Sequence, residues 1–341
     1  MAFFPSLLCK HGILRFPMFA AVGLTAAGLL STYAAGGAMA QAAPSSSPES
    51  PSPEPHASVR TDDTSIFLQP IPNDQLSFLN HFAGMPAKDV VRDKQYLKFM
   101  RRVLPVCIFH YGWDMSPFDA FQRVLTGSPL PVQIRDGRYF AVSGRSGPYL
   151  QGRGLMWVDM QEGVALAAFY FHPTNGEPTP TVTVFSRQVK EESLRLSQLP
   201  LGFVEALSLW SVESGVPAVT TRYFIGDSQK KILLEHDEDY CAPINPANAS
   251  PAGNCEEMDA DAADIDLNAA YYLEQTNYAT NATAWMIVGP DQVAWIELRD
   301  NTCRIRHELL RCRISMTRER THIVLSRPPA VRPTTPHPPR K

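Results

Sequence analysis

This chain of 341 residues has only six cysteines, a small net charge and few long apolar runs. The small charge and the lack of apolar runs each exclude a class of protein. A formal net charge of −3 leaves no overall basic surface, so we expect no nucleic-acid partner. Beyond the first 40 residues, no apolar run reaches the roughly 20 residues that span a bilayer. The sequence also lacks internal repeats, the H-E-x-x-H and G-x-S-x-G motifs and a phosphate-binding loop. It therefore predicts no metal site, no cofactor and no catalytic residue.

The first 40 residues are predicted to be a secretory signal peptide. Lys10 and Arg15 supply positive charge, residues 16–30 are apolar, and Ala38-Met39-Ala40 is a cleavage pattern. An uncleaved membrane anchor is the alternative, but the apolar core is short for one. We expect a mature chain from Gln41 in the bacterial periplasm or outside the cell, which is an oxidising environment.

Composition divides the rest of the chain into four parts. Residues 41–61, rich in Pro and Ser, and 327–341, rich in Pro and Arg, are predicted to be disordered. Between them we expect an α+β domain of unknown role at 62–236 and a helical cysteine module at 237–326.

Apolar periodicity predicts helices first and strands afterwards in the domain at 62–236. Helices are predicted at 74–82, at 87–104 and from Pro117 to Gly127, with a later one at 203–212. Strands are predicted at 132–135, 139–143, 155–160, 164–171, 181–187 and 219–225. This order is typical of an antiparallel sheet with helices packed on one face.

Three residues of this domain are candidates for chemistry. Cys107 and His110 form a C-x-x-H pair, which is compatible with a nucleophile pair or half a metal site. Cys107, however, lies in an apolar run, where such cysteines are usually buried. His172 stands alone at a predicted strand end. A hydrolase or thiol enzyme built on these residues is one alternative function.

A glycine-rich segment from Gly144 to Gly154 is a second candidate site. It contains Tyr149 and is followed by Trp157, so it is suited to holding an anionic or glycan ligand against an aromatic ring. Hairpin turns would explain the same glycines. A glycan-binding or structural envelope protein that contacts peptidoglycan is therefore another alternative.

The C-terminal segment carries a more specific pattern. Its elements are, in order, Tyr240-Cys241, Cys255, Asp264, Leu267-Asn268-Ala269-Ala270-Tyr271, Gln292-x-x-Trp295-x-x-x-Arg299-Asp300-x-x-Cys303, Cys312, Thr317 and Arg320. They resemble the LprI-type lysozyme-inhibitor domain, a cysteine-bearing helical module of exported bacterial proteins. The resemblance covers about 90 residues, and it implies inhibition of lysozyme or a related muramidase.

The pattern of the module itself favours helices that are cross-linked by disulfides. Helices are predicted at 256–280 and from Pro290 onward. A continuous helix would place Cys303 and Cys312 about 13 Å apart, whereas a disulfide needs α-carbons within about 7 Å. We therefore expect each of them to pair with Cys241 or Cys255, unless the helix breaks near His307.

One helix face and an acidic run are the candidate binding residues. Gln292, Trp295 and Arg299 share a face, because residues three and four apart are neighbours on a helix. The predicted binding residues are Gln292, Trp295, Arg299, Asp300, Glu256, Glu257, Asp259 and Tyr271. A purely architectural role is the alternative for the face, and dipole compensation at a helix N-terminus is the alternative for the carboxylates. An acidic surface would favour docking to a basic lysozyme or another envelope protein. The sequence thus predicts an exported binding protein and not an enzyme.

Overall fold

The computed structural model describes residues 64–111, 113–146, 152–171, 180–189, 194–237, 240–241, 255–278, 282–305 and 308–327. The predicted signal peptide, the linker at 41–61 and the tail beyond residue 327 lie outside these residues. The α+β class and the helical C-terminal region with two disulfides are confirmed.

The helical run predicted at 87–104 is two helices, α1 Ala87–Val90 and α2 Lys94–Val103. Asp93 separates them because its carboxylate accepts hydrogen bonds from the backbone N–H groups of Gln95 and Tyr96, both at 2.8 Å. This cap starts a new helix at Lys94. The stretch predicted as a helix at 74–82 is two 3₁₀ turns, Asn73–Gln75 and Ser77–Phe82.

A short hairpin and a capped helix lead into the sheet. The hairpin consists of β1 Phe109–Tyr111 and β2 Trp113–Met115. The helix is α3 Pro117–Thr126, which begins after a Ser116 cap and ends at Gly127, as the sequence predicted.

Eight strands form one mixed sheet: β3 Gln133–Arg135, β4 Tyr139–Arg145, β5 Arg153–Asp159, β6 Val164–Phe171, β7 Thr181–Phe185, β8 Leu194–Arg195, β9 Thr221–Ile225 and β10 Lys231–Glu235. Their order is β3-β4-β5-β6-β7-β9-β10-β8. Most neighbours are antiparallel, but β7 with β9 and β8 with β10 are parallel. The connection from β7 to β9 contains the helix α4 Leu201–Ser214, as a crossover between parallel strands requires.

Helices cover both faces of this sheet, so the prediction of a single covered face is wrong. All eight residues of β6 are buried. Phe169 packs in a cluster with α2 and α3, whereas its neighbours Ala168 and Tyr170 pack in a second cluster with α4. Because successive side chains of a strand point to opposite faces, a strand that is apolar at every position needs cover on both.

The C-terminal region is a bundle of three helices: α5 Cys255–Tyr278, α6 Ala282–Arg304 and α7 Leu309–Leu325. Asp264 of α5 contacts Arg313 of α7, and Glu274 contacts Arg327 just beyond α7, so α5 and α7 run in the same direction. Pro290 lies inside α6 and does not begin it, which corrects the predicted boundary.

The bundle packs directly on the sheet. Tyr223 of β9 and Leu233 of β10 share a buried apolar cluster with Leu267 and Tyr271 of α5 and Val324 of α7. All the described residues belong to one compact unit. The sheet and the bundle therefore contribute to one continuous core at this position.

The disulfides connect neighbours in sequence, so the predicted pairing is wrong. Cys241 is bonded to Cys255, and Cys303 to Cys312 with α-carbons 5.6 Å apart. The pairing was predicted for a continuous helix, with a break near His307 as the exception. The helix does break there, because α6 ends at Arg304 and α7 begins at Leu309. Two structural disulfides indicate an oxidising compartment and not the cytoplasm. Within the described ranges, no helix is both long and apolar enough to cross a membrane.

Candidate functional site

The predicted recognition face points largely into the bundle. Trp295 is half-buried, and the guanidinium groups of Arg299 and Arg320 lie 5.2 and 5.7 Å from its ring centroid. Arg299 is only 6% exposed. These contacts give the indole two cationic neighbours and apolar cover, which is the architectural role that the sequence left open.

Arg299 connects all three helices of the bundle. Its Nη1 donates to Asp264 of α5 at 2.8 Å and to the hydroxyl of Thr317 of α7 at 3.1 Å. Its Nε donates to Asp300 on α6 itself at 3.0 Å. A planar guanidinium can serve several acceptors at fixed angles, so this residue sets the spacing of the helices.

A second network surrounds Tyr271, which is 5% exposed. The Tyr271 hydroxyl accepts from Nε and Nη2 of Arg320 at 3.0 and 2.7 Å, and Arg320 also bonds Asp291. Burial raises the pKa of Tyr271, although Arg320 opposes that effect. Burial also works to raise the pKa of Asp291, but Arg327 and Arg320 outweigh it and the pKa is lowered.

The acidic residues of α5 mostly meet arginines. The helix carries seven carboxylates and no Lys or Arg, while α7 carries four arginines and one glutamate. Glu256 lies 3.4 Å from Arg311, and Asp259 lies 3.7 Å from Arg318. Charge complementarity within the bundle thus accounts for much of the acidic run.

Two carboxylates of α5 face solvent instead. Glu257 and Asp261 are exposed and four residues apart, so they occupy one face of the helix. Asp300 on α6 keeps a side-chain exposure of 53%. Gln292 is half-buried, and its Oε1 has no hydrogen-bond partner among the described residues. Of the eight predicted binding residues, Glu257 and Asp300 are therefore the exposed ones.

Among the candidate residues of the sheet domain, Cys107 and Trp157 have side chains that the structure describes, and both are buried. Cys107 is 2% exposed within the core on the α2 and α3 side. The side chains of His110, His172 and Tyr149 lie outside the described residues. Trp157 is 1% exposed and stacks on Tyr139 with a centroid separation of 5.6 Å, so its ring is not available to a glycan.

A polar cleft between sheet and bundle is a site that sequence reasoning missed. It has a volume of about 270 Å³ and lies where β8 and β10 end beside α5 and α7. Arg195, Glu235, His236 and Asp237 line it from the sheet side. The bundle side is lined by Asp266, Arg318, Thr321 and His322.

A buried histidine–aspartate pair is part of the lining of this cleft. Nδ1 of His236 lies 2.7 Å from Oδ1 of Asp266, whose Oδ2 accepts from the His236 backbone N–H at 2.7 Å. An ionised carboxylate only accepts, so Nδ1 carries a proton. The opposite ring atom, Nε2, is buried and has no hydrogen-bond partner among the described residues.

The signal for this cleft in the sequence was the charged triplet Glu235-His236-Asp237, which begins at the last residue of β10. The predicted domain boundary fell between His236 and Asp237 and divided it. The partners of the triplet are distant in sequence: Asp266 is 30 residues from His236, and His322 is 87 residues from Glu235. Local periodicity carries no information about such contacts.

Comparisons with protein-family models, with curated proteins and with solved structures find no match to this chain. Across the described ranges, no group of three His, Cys, Asp or Glu residues is placed to hold a metal ion.

Proposed function

We propose that this chain is an exported, non-enzymatic binding protein of the bacterial envelope whose helices α5, α6 and α7 inhibit a basic lysozyme or related muramidase. The observation that carries the proposal is the acidic excess of the bundle. Its three helices hold eleven carboxylates and six arginines, and Glu257 and Asp261 are exposed on one face of α5. A basic partner would be attracted to that face.

Rigidity of the bundle supports the same proposal. Two disulfides, the Arg299 network and the Tyr271 network fix the helices, so a partner would meet a surface that is already ordered. Preorganised surfaces lose less entropy on binding. The alternatives have less support, because Cys107 and Trp157 are both buried.

The test is turnover of peptidoglycan by a basic lysozyme in the presence of the mature chain at low ionic strength. We expect inhibition that weakens as salt is added, because exposed charges are screened. A Glu257→Gln/Asp261→Asn variant should inhibit less, while the matched variant Glu213→Gln/Asp74→Asn, changed at exposed sites outside the bundle, should inhibit normally. An absence of inhibition by the unaltered chain at high micromolar concentration would overturn the proposal.

A further inference from the structure

The cleft between sheet and bundle contains three carboxylates that are already bonded within the protein. Glu235 lies 2.9 Å from Nε2 of His322, and Asp266 accepts both bonds from His236. Asp237 accepts from the backbone N–H of Ser197 at 3.1 Å and also from its hydroxyl. The acidic lining is therefore largely satisfied by neighbouring groups.

The two arginines of the cleft keep hydrogen-bond donors that these contacts do not use. Nη2 of Arg195 lies 3.5 Å from Nε2 of His322, but that nitrogen already donates to Glu235 and offers no lone pair. Nη2 of Arg318 lies 3.7 Å from Asp259, which is too long for a hydrogen bond. Each guanidinium has five N–H donors, so both residues can accommodate an anion.

His236 adds a requirement for a second functional group. Its Nδ1 is bonded to Asp266, so Nε2 is the ring nitrogen that a ligand would meet. This atom is buried in a residue that is 4% exposed, and no described residue donates to it. A buried polar atom without a hydrogen-bond partner is unfavourable, and a ligand hydroxyl, which can donate or accept, would satisfy it.

We propose that the cleft binds a small hydroxylated anion, a sugar acid or a sugar phosphate, with its anionic group on Arg195 and Arg318 and a hydroxyl hydrogen-bonded to Nε2 of His236. This site differs from the acidic face of α5 and does not depend on lysozyme inhibition. A volume of about 270 Å³ suits a single monosaccharide unit and not a longer glycan.

Isothermal titration of the mature chain with four probes tests the ligand class. Glucuronate and glucose 6-phosphate carry both functional groups, whereas acetate has no hydroxyl and glucose has no charge. We expect at least one of the first two to bind about tenfold more tightly than acetate and glucose, since each lost charge-assisted bond costs about that factor. Tight binding by glucuronate alone would identify a carboxylate ligand, and by glucose 6-phosphate alone a phosphate ligand.

Variants test the residues. Arg195→Gln should weaken binding of the tighter probe about tenfold. Arg304→Gln, an exposed arginine on α6, is the matched control and should bind normally. Because substitution of His236 could disturb folding, its role is read in the unaltered protein from the ¹⁵N shift of Nε2, which should change when the probe binds. The proposal is overturned if no probe binds at millimolar concentration, if glucose matches the anions, if Arg195→Gln binds normally, or if the Nε2 shift is constant.

Discussion

The carboxylate of Asp266 on α5 is hydrogen-bonded twice to His236, the residue that follows β10. Its two oxygens lie 2.7 Å from the backbone nitrogen and 2.7 Å from the ring Nδ1 of His236. Both residues are buried. This pair is the polar counterpart of the apolar cluster around Leu233 and Leu267, and together they join the sheet to the bundle.

Asp266→Asn should lower the free energy of unfolding by about 2–3 kcal/mol, because two charge-assisted bonds are lost and an amide N–H₂ replaces one acceptor. Urea denaturation measures the change. Asp261→Asn on the same helix is the control, and it should have little effect because Asp261 is exposed. Equal effects of the two substitutions would contradict the role of Asp266 in joining the two parts.

Tyr96→Phe should stabilise the protein by about 1 kcal/mol, because the Tyr96 hydroxyl is buried and no described residue bonds it. Burial also raises the pKa of Tyr96 in the folded state. The folded protein therefore loses stability as pH rises above about 10, the pKa of an unfolded tyrosine, and Tyr96→Phe should reduce this alkaline loss.

Tyr240→Phe is the matched control for that substitution. Its hydroxyl donates to the carbonyl of Ala218 at 3.3 Å, so removal should destabilise the protein by about 1 kcal/mol. Thermal and urea unfolding of both variants give the comparison. A destabilised Tyr96→Phe protein would mean that its hydroxyl has a partner in solution.

Much of the sheet could be predicted from the sequence because its signals are local. Short β-rich runs separated by turn signals such as Asp136-Gly137 placed β3 to β7 and β9 within a few residues. The strands β8 and β10 were missed. β8 has only two residues, and β10 ends on the first residue of the charged triplet, where the domain boundary was placed.

The candidate site was harder to predict because its contacts are long-range. Trp295 and Arg299 were correctly placed on one helix face, but helical periodicity alone does not say whether that face meets solvent or other helices. The pairing of α5 carboxylates with α7 arginines decides the question. The same limitation explains the incorrect prediction of the disulfide pairing. That prediction assumed a continuous helix through Cys303 and Cys312, whereas α6 ends at Arg304.

Asp291→Asn should flatten the dependence of stability on acid pH. The pKa of Asp291 is lowered in the folded state because Arg327 and Arg320 outweigh burial. Its contribution is therefore present above about pH 4, the unfolded value, and is lost as pH falls through the folded pKa. Free energies of unfolding at neutral pH and near pH 3 should differ less in Asp291→Asn than in the unaltered chain.

The matched control for that measurement is Asp74→Asn, which removes an exposed carboxylate outside the bundle. It should keep the pH dependence of the unaltered protein. An Asp291→Asn variant with the full acid-induced loss would show that other carboxylates control stability in this range.

Replacing Cys303 and Cys312 together by serine should lower the free energy of unfolding by about 2–3 kcal/mol, the amount expected for closing a short loop. The Cys241/Cys255 double replacement should cost a similar amount, because sequence separations of 9 and 14 residues close loops of comparable size. Non-reducing peptide mapping gives the connectivity directly. Any peptide that links Cys241 or Cys255 to Cys303 or Cys312 would contradict the structure.

The segment 237–327 should be much less stable alone than within the chain. Leu267 and Tyr271 pack against Tyr223 and Leu233 of the sheet, and separation would expose these apolar surfaces. In the full chain, Leu233→Ala should lower the free energy of unfolding by about 2–4 kcal/mol. Leu209→Ala is the control, because Leu209 is 53% exposed on α4 and should change stability little. Urea unfolding followed by the near-ultraviolet signal of the bundle gives both comparisons, and an isolated segment as stable as the full chain would establish it as an independent domain.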